Sequence, residues 1–316
     1  MIMHNSSNVW MLHYIRSTSD KAFPYLKGCS VEQFSQFLDY ISDQSSIIHP
    51  NDFFNFILDR NTKLPKNAQL LTFDDGLQDH YRWVFPELKK RGLSALFFVS
   101  TGSLGRKKLL SIHKIHALYG AKGYPWLMKQ FLQHYRQPGN EIANITFLDP
   151  RAIKAYPYDD EVTAGFKYAI NYLIDSGHVN AILDQILVNT FDEKKLCEKL
   201  YMSAAEIQEM NDAGMVFGFH GHTHRPFSQL TPDELSSEMD NAISIFSELL
   251  PSIPKCVSYP YGDKFSVTEE NISILKSKGL HLGFMAEKMD NTNRSNENFY
   301  ISRIDIVEWQ KTIAYA

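Results

Sequence analysis

Cysteine is scarce in this chain: Cys29, Cys197 and Cys256 are the only three in 316 residues, and none belongs to a Cys-x-x-Cys pair. So sparse and odd a set excludes a disulfide framework and a thiolate zinc site, and it fits a reducing compartment. Long apolar runs are missing too. None approaches the ~20 residues that a membrane-spanning helix needs, so no membrane span is expected. Strong charge of one sign is also absent. The net charge is −4, which gives no reason to expect nucleic acid or another polyanion as partner. The first twenty residues have no basic start followed by an apolar stretch. No secretory leader is therefore expected, and a cytoplasmic location is the default. There is no internal repeat or low-complexity tract. What is present is globular in balance, with 44% hydrophobic and 22% charged residues. The length suits one barrel-sized domain or two ordinary ones.

Short buried strands are predicted at 9–12, 69–73, 95–99, 215–219, 256–259, 282–285 and 300–306, each an apolar run bounded by turn residues. Helices are predicted between several of them. Ser30 and Gln33 have the spacing of a capping box, followed by Phe34, Phe37, Leu38 and Ile41 on one face. A second helix is expected over 51–58, and a third over 80–91, closed by Gly92. Ser203 and Glu206 begin another, Thr231-Pro232-Asp233-Glu234 another, and Ser266 a last one. Strand, helix, strand at these lengths means a βαβ unit and a parallel sheet. From about 106 to 201 the alternation stops. Helix-like patches with Pro138, Pro150 and Pro157 predict a helical insertion or lid between two barrel segments, 8–105 and 202–316.

The polar residues that stand out all follow a predicted strand. Asp74 and Asp75 come after the second strand, His220 to His224 after the fourth, and Pro260 to Gly262 after the fifth. In a (β/α) barrel such positions converge on the rim at the strands' C-terminal ends. Adjacent aspartates point in different directions, so one can bind a metal while the other faces a substrate. His220 and His224 lie on a loop that Gly221 and Pro226 keep from becoming a regular helix. Two imidazoles on one tight loop are a natural pair of zinc ligands. Two histidines and one aspartate leave open positions, and water at such an ion is acidified to a pKa of about 7, which suits amide or ester hydrolysis beside a free carboxylate. His113 and His116, in the inserted region, read as structural. Trp83, Tyr259, Tyr261 and Trp309 are either sugar-stacking faces or packing.

Three segments together resemble the polysaccharide deacetylases, the NodB-homology group of carbohydrate esterase family 4. Leu71-Thr72-Phe73-Asp74-Asp75-Gly76 is similar to the family's first motif, His220-Gly-His-Thr-His224 to its second, and Ser258-Tyr259-Pro260-Tyr261-Gly262 to its third. The resemblance covers about 10–102 and 202–306. It implies an α/β fold, a distorted, incomplete (β/α)7 barrel, and a metal-dependent hydrolase that removes an N-acetyl group from a saccharide or saccharide precursor. It implies Asp75, His220 and His224 as ligands of a divalent metal, usually Zn2+, Asp74 as general base, and the Tyr261 backbone N–H as oxyanion donor. Ser258 stands where the family has an arginine that orients the base, so Arg303 is the candidate replacement. The late Leu-x-His motif that supplies the family's acid is absent. In a branch with permuted motif order, the acid histidine lies near the N-terminus in a segment similar to Met11-Leu12-His13-Tyr14. His13 is accordingly the expected acid, across the metal from Asp74, with His222 and His281 as rivals. Other readings of the same residues are a deformylase or allantoinase-like hydrolase and a non-catalytic saccharide-binding relative.

Overall fold

The computed structural model describes residues 8–17, 21–59, 61–105, 107–135, 149–156, 159–287 and 297–314. Among the described residues its main sheet has eight strands, seven of them on one path: β1 (Asn8–Leu12), β2 (Ala68–Phe73), β3 (Leu96–Val99), β4 (Val216–Phe219), β5 (Cys256–Ser258), β6 (Leu282–Phe284) and β7 (Ile304–Asp305). They run in the order β7-β1-β2-β3-β4-β5-β6, and the two-residue strand Ser46–Ile47 pairs with β2 off this path. Every pairing in the sheet is parallel. Beyond β6, Ile301 donates its N–H to the Gly283 carbonyl (2.9 Å) and accepts one from Met285 (2.8 Å). The segment leading into β7 thus reaches back to β6, and the sheet curls into a distorted, incomplete (β/α)7 barrel.

Strand periodicity sorts the core into two sides. Val9, Leu70, Leu96, Phe98, Cys256, Leu282 and Phe284 share one buried cluster. The Phe98 and Phe284 rings are 5.1 Å apart although two strands lie between theirs in the sheet order, so this cluster is the barrel interior. The alternate residues Trp10, Leu71, Phe73, Phe97, Val99, Phe217 and Phe219 pack outward with helix residues such as Phe34, Phe37, Leu88 and Phe246. The helix Val31–Gln44 begins with the Ser30/Gln33 capping box and buries the four apolar residues expected. Capping boxes also start Ala204–Asp212 and Pro232–Leu249 at Ser203 and Thr231.

Three elements differ from expectation. The helix after Asp75 is divided into a π-helical turn, His80–Val84, and an α-helix, Phe85–Arg91. Pro86 has no N–H to continue an α-helical ladder, and the Phe85 N–H bonds one residue further back, to the His80 carbonyl. The helix expected from Ser266 instead begins after Thr268. Ser266 is engaged in its own loop, with both its N–H and its hydroxyl donating to the Asp263 carbonyl. The last strand shrinks to Ile304–Asp305, and the unexpected helix Ile306–Ala314 follows.

The chain divides into two compact units. One comprises residues 1–19, 28–108 and 197–316 and contains the barrel; the other comprises 20–27 and 109–196. The second unit is helical, with Ser111–Lys122, Tyr124–Tyr135, Pro150–Ala155, Glu161–Tyr168 and Ser176–Val188. Leu118, Leu127, Phe131, Phe166 and Leu183 are buried within it. His113 is fully buried there, edge-on to His116, as a structural role requires. Among the described residues no helix is long and apolar enough to cross a membrane.

Candidate metal centre

The alternation that builds the barrel also delivers its polar groups. Ala68 and Leu70 face inward, so Thr72 and Asp74 come next on the same side at the end of β2. Cys256 faces inward, which puts Ser258 there too; Phe217 and Phe219 face outward, which leaves Gly218 and His220 inward. The Asp74 N–H bonds to the Leu12 carbonyl (3.0 Å), so this residue still belongs to the β1–β2 ladder. Directly after it the chain breaks direction. Among the described residues, four non-glycine residues have positive φ, and three of them are Asp75 (80°), His224 (63°) and Tyr261 (66°). Such conformations cost of order 1–3 kcal/mol each and persist where surroundings impose them. At Gly262 a Cβ would lie 2.5 Å from the Ala286 backbone nitrogen, so the turn carrying Tyr261 requires glycine.

These turns bring Asp75, His220 and His224 together. His220 Nε2 is 3.3 Å and His224 Nε2 3.2 Å from Asp75 Oδ1. The three are buried, and one ligand atom from each lies within 4.8 Å of the others. Ligands about 2.1 Å from a tetrahedral ion stand about 3.4 Å apart, so the spacing fits a metal. The tautomer fits as well. His220 Nδ1 is 2.8 Å from the Ser258 carbonyl, which only accepts, so Nδ1 carries the proton and Nε2 has its lone pair toward Asp75. Burial pushes the His220 pKa down, but the charges of Asp74 and Asp75 outweigh it and raise the value overall. The cluster therefore favours positive charge. His222, between the two histidines, turns away and bonds through Nδ1 to the Thr101 hydroxyl (2.9 Å). Glu238, on the helix Pro232–Leu249, fixes the loop: its Oε1 accepts from the backbone N–H of His222 (2.7 Å) and Thr223 (2.5 Å) and from the Thr223 hydroxyl (3.0 Å).

Asp74 lies beside this cluster in a fully buried ion pair. Arg303 donates from Nη1 to Oδ1 (2.8 Å) and from Nη2 to Oδ2 (2.7 Å). The same guanidinium donates to Ser258 Oγ (2.8 Å), Thr72 Oγ1 (3.2 Å) and the Met285 carbonyl (2.7 Å). Ser258 Oγ in turn donates to Asp74 Oδ2 (3.1 Å). The small side chain at 258 thus meets the arginine reaching in from the far end of the sequence. Burial alone would raise the Asp74 pKa, but the Arg303 charge, with smaller contributions from His220 and His13, holds it down at about 2. The carboxylate is ionised and directed by a fixed fork.

His13 is 37% exposed, with Nε2 3.9 Å from Asp74 Oδ2. It stands beside Asp74. The reason is register: Leu12 pairs with Phe73, so the residues following them are neighbours on adjacent strands. Its carbonyl meets His80 Nε2 at 2.9 Å. His281 is excluded as a rival. It precedes β6 and lines a cavity with Lys255 and Val216 at the strands' N-terminal ends. Tyr261 carries its ring 5.5 Å from that of His224. Tyr259 and Trp309 are core residues, 1% and 4% exposed, and offer no stacking face.

The parallel barrel thus carries at its C-terminal rim an Asp-His-His cluster that could hold a metal ion, with a second aspartate beside it, and the family follows from comparison. The polysaccharide deacetylase family model matches residues 61–283, and the chain belongs to that family. Among solved structures it is similar to the Streptococcus pyogenes deacetylase PplD in complex with acetate: 16% identity, 95% of this chain and 92% of that one covered, TM-score 0.59. IcaB from Ammonifex degensii matches at 20% identity, with 98% and 97% covered and a TM-score of 0.58. A de-N-acetylase from Aggregatibacter actinomycetemcomitans matches at 12%, with 94% of each chain covered and a TM-score of 0.57. At these identities the likeness is one of fold. No curated protein sequence matches significantly.

Proposed function

We propose that the chain is a metal-dependent hydrolase that removes the N-acetyl group of a saccharide. The observation that carries this reading is the convergence of Asp75, His220 and His224 within ligand distance, beside an ionised Asp74 locked by Arg303. Membership of the polysaccharide deacetylase family supports the substrate class. Asp75, His220 and His224 would hold a divalent ion, and two imidazoles with one carboxylate suit zinc. Such an ion polarises an acyl carbonyl and makes water more acidic.

The chain's own residues supply the rest. Asp74, kept ionised, takes a proton from the attacking water. The backbone N–H of Tyr261, presented by its left-handed turn, donates to the acyl oxygen as that oxygen gains charge. As the C–N bond breaks, the departing nitrogen needs a proton, because an amine anion is a very poor leaving group. His13, half-exposed beside Asp74, delivers it. Acetate and a free amino sugar are the products. The test is acetate release from a panel of N-acetylated sugars and oligosaccharides, with and without chelator, and formate release from N-formyl analogues. Chelator-sensitive acetate release is expected. Formate release alone would make the chain a deformylase, and neither product would leave a non-catalytic saccharide binder.

A further inference from the structure

We propose that His80 is a positioning residue for the reaction: its Nε2–H holds the His13 carbonyl and so fixes the His13 imidazole beside Asp74. The inference rests on the reading of His13 as proton donor. β1 ends at Leu12, whose carbonyl takes the last ladder bond, from Asp74. The His13 carbonyl comes one residue later, outside the strand, and meets His80 Nε2 at 2.9 Å. A carbonyl only accepts, so Nε2 must be the protonated nitrogen.

The His80 ring is held in place. It is fully buried, with the Phe73 ring centroid at 5.3 Å and that of Phe97 at 5.7 Å. It opens the π-helical turn His80–Val84. Such turns are rare and cluster at functional sites. Its other nitrogen, Nδ1, is buried with no hydrogen-bond partner among the described residues. An unpaired buried nitrogen opposes folding. Packing between two phenylalanines would be served better by an apolar ring. Among the described residues the hydrogen-bond partner of this imidazole is the His13 carbonyl, and His13 Nε2 then stands 3.9 Å from Asp74.

The test separates the two nitrogens. A glutamine amide reaches roughly where Nε2 sits, and an asparagine amide roughly where Nδ1 sits. His80→Asn and His80→Phe should lower kcat at least about tenfold with KM within about twofold, whereas His80→Gln should stay within about threefold of wild type. Crystal structures give a readout independent of turnover. The separation of His13 from Asp74 should be kept in His80→Gln and should open beyond ~6 Å in His80→Asn, too far for any direct contact. Equal loss of kcat in the Asn and Gln variants, or an unmoved His13 in His80→Asn, would overturn the proposal. If His13→Ala keeps full turnover, the assignment of His13 fails instead, while the crystal separation still decides whether His80 places it.

Discussion

Removing Arg303 should be the most damaging single change in the barrel that leaves its apolar core intact. In Arg303→Met the Asp74 carboxylate, 2% exposed, loses both fork bonds, and Ser258, Thr72 and the Met285 carbonyl lose a donor. Breaking one side of a buried ion pair costs about 3–5 kcal/mol, because the other charge is left sealed away from water. For a chain of this size that is a fall in Tm of about 5–8 °C. The pH dependence gives the sharper signature. Asp74 has a folded pKa of about 2, below its ordinary value of 3.8. Its ionised form therefore adds stability that is present above pH 3.8 and lost as pH falls through 2. Without Arg303, burial is less opposed and the Asp74 pKa rises. The stability gap between wild type and variant should be widest near neutrality and close towards pH 2, and the acid limb of the pH–rate profile should move up. Thermal unfolding across pH, with acetate release measured in parallel, checks both. In the Asp74→Asn background, Arg303→Met should cost clearly less than it does alone. A loss below ~1 kcal/mol with an unmoved acid limb would refute the argument, since the pair would then be no more than a surface contact in effect.

Two other perturbations follow from the geometry. Glu238→Ala removes the carboxylate that three donors of the 220–224 loop share. Metal affinity, measured by zinc titration calorimetry, should fall about 10- to 100-fold while the fold remains. His80, whose pKa burial lowers from 6.5 to about 4, binds fewer protons folded than unfolded between those values. Stability should therefore decline as pH drops from 6.5 to 4, by about 3 kcal/mol at most. His80→Phe should remove that part of the slope in denaturant titrations at several pH values.

How much of this was legible in the sequence depended on how far apart the partners lie. Asp74, Asp75, His220 and His224 stand out because each follows an apolar run of strand length, and parallel strands bring such positions to one rim. Arg303 was reachable by a chemical deficit: Ser258 is too short and uncharged to orient an aspartate, so another cation had to reach it. Glu238 was hidden, because its partners are backbone N–H groups on a loop fifteen and sixteen residues earlier. The nearness of His13 to Asp74 could not be read from composition, because strand register is set by pairing. The final strand was read too long. Arg303 turns inward, and Asp305 Oδ1 accepts the Val307 N–H (2.9 Å), starting a helix within the apolar run.

The central claim divides labour between two adjacent aspartates, and one measurement tests it directly: metal content per chain alongside acetate release in Asp74→Asn and Asp75→Asn. Asp74→Asn should bind metal nearly as wild type does and release no acetate. Asp75→Asn should lose metal, with activity returning in part only at high added metal. Equal metal loss in both variants, or acetate release by Asp74→Asn at the wild-type rate, would contradict the account.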